Sequence, residues 1–191
     1  MKTFRTFITE STISLYHGGR NLEQNYQETV AHKKGNWEYG PGLYLTTHYD
    51  TAYKYAKGGG KVFKVTVEEG QEADDVRLTR EVIEQFAKRY VIGRKRQIVA
   101  DAVNRNINRL KSDTISANTF INIIVNEGAI KNTDSGKFKD FLAQNGVDYI
   151  INTRYGGRDE TVLVVVNPKK IKKVEVVSPN TKEFELPFKF N

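Results

Sequence analysis

The sequence predicts a single α+β domain, and three observations predict it. Strand signals stand near both ends of the chain: Ile13-Ser14-Leu15-Tyr16 and then Lys61 to Val67 alternate with a period of two, and strands return from Asp148 on, as at Glu160 to Val166. Between them, from Thr79 to Lys111, apolar residues recur every three or four positions, the spacing of one helical face. At 191 residues, 38% apolar and 28% charged, the chain can bury one core and is short for two.

Composition narrows the chemistry. The absence of cysteine removes disulfides and thiolate metal sites, and His17, His32 and His48 have no H-x-x-x-H spacing, so no metal site is expected. The longest aliphatic run, Val162 to Val166, falls far short of the roughly 20 residues that span a bilayer. A soluble protein without membrane contact is therefore expected. A formal charge of +7 and an isoelectric point near 9.4 suit either an acidic partner such as nucleic acid or a generally basic surface.

The elements follow in order. Ile13 to Tyr16 reads as a strand that runs into a loop at Gly18-Gly19, with His17 at its exit. Leu43 to Thr47 is a second strand behind the turn-forming Gly40-Pro41-Gly42, and Tyr49 to Ala56 has the length and alanines of a short helix. Gly58-Gly59-Gly60 ends that helix, and Lys61 to Val67 alternates as a third strand. Val82, Ile83, Phe86 and Tyr90, then Val99, Val103, Ile107 and Leu110, mark two amphipathic helices with Gly93 as the break. Their outer faces carry Lys88, Arg89, Arg94, Lys95, Arg96, Arg105, Arg109 and Lys111, either as a solvated face or as a surface for an acidic partner. Shorter helices are predicted near Thr119 to Asn126 and Gly136 to Asn145, and strands at Asp148 to Asn152, Glu160 to Val166 and Lys173 to Val177.

An ordered set of residues stands out: Tyr16-His17-Gly18-Gly19, then Gly40-Pro41-Gly42-Leu43-Tyr44, then Thr51-Ala52-Tyr53-Lys54-Tyr55-Ala56, then Glu160 opening a strand. Each piece alone has an ordinary structural explanation. In this order the set resembles the His-Tyr-Glu class of ADP-ribosyltransferases, which includes diphtheria toxin and the poly(ADP-ribose) polymerases. The resemblance spans most of the chain after residue 11. It implies an ADP-ribosyltransferase-like split β-sheet core, here with an inserted helical segment at about 72–145, and NAD as the substrate.

By that resemblance, His17 hydrogen-bonds the adenosine ribose and the backbone of Gly18 clasps the nicotinamide carboxamide. Tyr44 and Tyr55, eleven residues apart as in the family, sandwich the nicotinamide ring, and Thr51 offers it a hydroxyl. Glu160 bonds the ribose and stabilises the cation that forms as the nicotinamide bond breaks, with His17 and Tyr44 completing the catalytic set. The chemistry needs these residue types: an anion beside the developing oxocarbenium ion and an aromatic, water-poor pocket for the leaving ring. Arg154, Tyr155 and Arg158, in the loop before Glu160, are either the acceptor-reading loop of the family or a glycine-containing hairpin turn.

The sequence departs from the family at three places. Pro168 stands eight residues beyond Glu160 rather than about six, which preserves the face on which Glu160 lies. Asp159 is the reserve candidate. Arg158 occupies the position of the Glu or Gln found in arginine-modifying members, and Thr51-Ala52 is shifted by one against the Ser-Ala of the polymerase branch.

The first ten residues, Met1 to Glu10, lack the apolar core of a secretory signal. They resemble the capsid-targeting peptide of internal head proteins of T-even-like phages, which a prohead protease removes after the Glu of an Ile-x-Glu pattern. Ile8-Thr9-Glu10 supplies that pattern and places the cut between Glu10 and Ser11, leaving a domain over 11–191. The two resemblances together imply a phage internal head protein, packaged in the virion and injected with the DNA. In the host cytoplasm it would act as an NAD-dependent mono-ADP-ribosyltransferase on a protein or nucleic-acid acceptor. Two alternatives stand beside this: an inactive protein of the same fold that binds and inhibits a host defence factor, and a basic capsid protein that contacts packaged DNA.

Overall fold

The computed structural model describes residues 11–20, 22, 38–153, 159–178 and 184–190. The early strands follow from their alternation. β1 (Thr12–Gly19) pairs antiparallel with β3 (Lys61–Glu68) along its full length, from Thr12↔Glu68 to Gly19↔Lys61. The strand expected to give way to a loop at Gly18 thus continues through both glycines, because β3 carries alternating partners for them. β2 (Leu43–Thr46) pairs along its full length with β7 (Thr161–Val165), which in turn pairs with β6 (Tyr149–Thr153). β8 (Ile171–Val176) flanks β3, giving one antiparallel six-stranded sheet in the order β6-β7-β2-β1-β3-β8. The fold is α+β, as the sequence predicts.

Period-two alternation divides the sheet into two faces. Ile13, Leu15, Leu43, Leu45, Phe63, Val65, Leu163 and Val165 share one buried cluster. The opposite face is covered in two parts. Tyr16 and Val62 pack under α1 (Tyr49–Tyr55) with Tyr49, Ala52 and Ala56, while Val162, Val164 and Tyr44 join the core of the remaining helices.

Those helices are α2 (Arg80–Tyr90), α3 (Arg96–Leu110), α4 (Ala117–Asn126) and α5 (Ser135–Gln144). Thr79 and Ser116 cap α2 and α4 by accepting the N–H of Val82 and Thr119. Gly93 opens the 3₁₀ turn between α2 and α3, the break the sequence predicts. α3 ends in a Schellman motif: Lys111 adopts φ 48° and ψ 44°, its N–H reaches the Asn108 carbonyl, and the Ser112 N–H reaches that of Ile107. The apolar stripes converge on Phe86, Phe120, Phe138 and Phe141, whose ring centroids lie 4.6 to 6.4 Å apart.

A two-stranded ribbon of β4 (Arg77–Thr79) and β5 (Thr114–Ser116) bridges this helical unit. Three residues per strand give no readable period, so the ribbon is not foreshadowed in the sequence. The chain leaves and re-enters the sheet at adjoining points. The Gln71 carbonyl accepts from the N–H groups of both Asp148 and Tyr149, and the Asp148 carboxylate accepts from the Gln71 N–H. Among the described residues no helix is long and apolar enough to cross a membrane.

Candidate functional site

The site is built where β1 and β2 part. The two strands pair at Tyr16↔Thr46; continuing that register would set Gly18 opposite Tyr44. There the Tyr44 carbonyl accepts a hydrogen bond from His17 Nδ1 at 2.9 Å. A carbonyl only accepts, so His17 Nδ1 carries a proton and donates it to this bond. The imidazole also leans over the strand end, since a Cβ on Gly19 would fall 2.6 Å from Nε2. His17 thus bridges the opening between two strands at the end of β1.

Gly18 faces the opposite way. A Cβ added there would lie 1.7 Å from the Ala52 carbonyl oxygen, so α1 is laid directly on the strand at this point. The close backbone approach that the sequence assigns to nicotinamide is made here by a helix of the protein itself.

Tyr44 is held by the turn in front of it. Its hydroxyl donates to the Gly40 carbonyl at 2.8 Å and accepts the Tyr39 N–H at 3.2 Å. Gly40 has φ 110°, and a Cβ there would strike Ile150 and Ile121, so the turn needs a glycine for both backbone and packing reasons. Tyr55 ends α1 with 66% of its surface exposed. Burial, together with nearby Glu38 and Tyr55, raises the pKa of the Tyr39 phenol, which puts the end of α1 close to the Tyr39-Gly40 turn.

Glu160 stands immediately before β7 on the face shared by Thr46 and Tyr44, and it is 2% exposed. Thr46 Oγ1 donates to one of its carboxylate oxygens at 2.5 Å, and Thr51 Oγ1 donates to the other at 3.0 Å. No Lys, Arg or His lies within ion-pair distance among the described residues. The carboxylate is therefore held by two neutral hydroxyls in a buried place, where an unsatisfied charge would be costly. The next turn of backbone is tied down too: the Thr47 N–H donates to the Thr161 carbonyl, and the Thr161 N–H to the Thr47 hydroxyl. Asp159, the reserve candidate, is exposed.

The structure thus gathers Glu160, Thr46 and Thr51 into one contact and links His17 to Tyr44 in another. Thr51 is expected at the nicotinamide; its hydroxyl proton goes to Glu160. Thr46 is the residue the sequence reading missed. Its signal was present, since a period of two places it on the face of Tyr44. Ser11, expected to become the first residue of the mature chain, accepts the Glu69 N–H through its carbonyl at 2.8 Å. Glu10, Arg154, Tyr155 and Arg158 lie outside the described residues.

No protein-family model, curated protein or solved structure matches the chain.

Proposed function

We propose that the protein is an ADP-ribosyltransferase-like enzyme that transfers ADP-ribose from NAD to an acceptor in a host cell, after delivery from a phage head. The observation that carries the reading is the buried Glu160 carboxylate, held by Thr46 and Thr51 on the face of the sheet that also bears Tyr44. In the reaction the bond between nicotinamide nitrogen and ribose C1′ breaks. Nicotinamide leaves with the bonding pair, the acceptor nucleophile bonds C1′, and its proton is released.

Each residue has a part in that chemistry. A preorganised carboxylate in a low-dielectric setting stabilises the positive ribose far more than it would in water. Thr46 and Thr51 act as positioning residues, fixing both oxygens so that little reorganisation accompanies the charge. His17, with Nδ1 committed to the Tyr44 carbonyl, would meet a ribose hydroxyl through Nε2. Tyr44 and Tyr55 would supply the aromatic walls for nicotinamide.

The test is NAD cleavage and NAD binding, measured separately with host lysate as acceptor source. Glu160→Gln keeps shape but removes charge, so turnover falls about a hundredfold or more while NAD affinity changes little. Thr46→Val lowers kcat with a smaller effect on KM, and Asp159→Asn leaves both unchanged. Equal cleavage by wild type and Glu160→Gln overturns the assignment. The second reading, a protein of this fold that binds a host defence factor without turnover, is favoured by the same carboxylate being 2% exposed with both oxygens engaged. Tight NAD binding or host-factor capture without cleavage by wild type, with any acceptor supplied, selects it.

A further inference from the structure

The positive charge of the chain is concentrated. Residues 77–112 hold ten Lys and Arg against three Asp and Glu, a net +7 equal to the charge of the whole chain, whose other residues carry twenty of each sign. Nine of those ten cations are exposed. The tenth, Lys95, places its ammonium on the Glu127 and Gly128 carbonyls at the end of α4. The segment from β4 through α3 therefore matches the whole net charge, and the charges of the remaining residues, those of the candidate NAD site included, sum to zero.

Within that unit α2 and α5 enclose an open groove of about 380 Å³. This is near the lower end of the roughly 300 to 1,000 Å³ found for small-molecule sites. Phe86, Tyr90 and Phe141 line it, with Phe86 centred 4.6 Å from Phe141 and 5.1 Å from Tyr90. Two cations stand on its rim. Arg89 is exposed and has no carboxylate partner among the described residues, while Lys137 Nζ lies 5.4 Å from the centre of the Tyr90 ring. Lys137 also meets Asp134 at 2.8 Å, an exposed pair that a stronger anion can displace. The carboxylate in the groove, Asp140, has the Lys139 ammonium 3.1 Å away.

We propose that this groove docks single-stranded nucleic acid, with a base against the Tyr90 and Phe141 edges and flanking phosphates on Arg89 and Lys137. An acidic peptide would use the cations and leave the rings idle. In a duplex the bases are stacked on one another and closed to the rings, whereas a single strand offers them. The neighbouring cations of α2 and α3 extend the favourable field along the strand. The proposal does not depend on NAD chemistry.

The experiment is fluorescence anisotropy of a labelled oligothymidylate of about 12 nucleotides with the full chain, between about 50 and 300 mM salt. Binding is expected to weaken with salt at a log-log slope of about −2, corresponding to about three phosphate contacts on a single strand. Tyr90→Ala weakens binding about tenfold or more, and Tyr90→Phe restores it. Arg89→Glu weakens binding and flattens the slope. Lys169→Glu, the same charge change on an exposed residue outside the helical unit, alters affinity less than twofold. Circular dichroism melts accompany each variant; should Tyr90→Ala unfold, Arg89→Glu on the exposed rim carries the test. Absence of binding at low salt overturns the proposal. So does equal loss in Arg89→Glu and Lys169→Glu, which indicates diffuse charge. Displacement by polyglutamate as efficient as by unlabelled oligonucleotide, indifferent to Tyr90, assigns the groove to an acidic protein instead. Tighter binding of duplex than of single strand, likewise indifferent to Tyr90, removes the role of the rings.

Discussion

Replacing Gly18 with alanine tests how closely α1 is laid on the sheet. The new Cβ would sit 1.7 Å from the Ala52 carbonyl oxygen, 2.7 Å from its carbon and 3.1 Å from the Ala56 nitrogen. All three obstacles are backbone, so no side-chain rotation relieves the clash. Ordinary van der Waals contact requires α1 to retreat by roughly 1.7 Å. That movement opens the packing of Ala52 and Ala56 and the edge-to-face contact of Tyr16 with Tyr49, whose centroids are 5.6 Å apart. Overpacking a tight interior costs about 1 to 3 kcal/mol, and a backbone obstacle places Gly18→Ala near the upper end. At about 2 to 4 °C per kcal/mol for a chain of this size, the melting temperature should fall by about 6 to 12 °C. The retreat also carries Thr51 away from Glu160, so the NAD cleavage proposed above should drop with stability. Thermal and urea denaturation followed by circular dichroism measure the first effect. Adding Ala52→Gly should bring no rescue, because the obstacle is a carbonyl rather than a methyl. A melting temperature within about 2 °C of wild type, or rescue by Ala52→Gly, would show that the helix does not rest on Gly18 in this way.

Two further outcomes follow from local geometry and charge. Lys111 occupies the left-handed region at the end of α3, which disfavours a side chain by roughly 1 to 2 kcal/mol. Lys111→Gly should stabilise by about 0.5 to 1 kcal/mol after the greater unfolded-chain freedom of glycine is set against it, and an unchanged or lower melting temperature would contradict this. The ammonium groups of Lys172 and then Lys170 hydrogen-bond Glu68 and hold its carboxyl below its ordinary range. A pKa lower in the folded than in the unfolded chain stabilises fully above the ordinary carboxylate pKa, and the effect is lost as pH falls on through the lower folded pKa. Glu68→Gln should therefore melt below wild type at about pH 6, and the deficit should shrink progressively as pH falls below about 4. A deficit that stays constant across that range would assign Glu68 a role other than charge.

Much of the fold was legible because its periods are long. β1, β3 and the helices α2 to α4 repeat their apolar spacing over enough residues to distinguish two from three-and-a-half. The β4–β5 ribbon was not legible, since its strands have three residues each and three residues carry no period. The end of β1 was misjudged for a different reason: glycine favours loops locally, but at Gly18 the pressure of α1 on the strand demands it. The Glu160 environment was half legible. Alternation correctly separates a buried Glu160 from an exposed Asp159, but contact with Thr46 and Thr51 joins residues more than a hundred positions apart, and pairing of β2 with β7 brings Thr46 there.

The stem at Gln71 and Asp148 gives the helical unit adjoining entry and exit, the geometry of a guest segment threaded into a host. Its interior nevertheless is not its own: Ile121, Ile124 and Phe138 share a continuous core with Ile150, Val162 and Val164 of the sheet. Guest and host therefore melt together. Amide exchange in α4 and in β7 should report the same opening free energy, and removing 72–147 with a short linker should leave an insoluble sheet rather than a smaller folded protein.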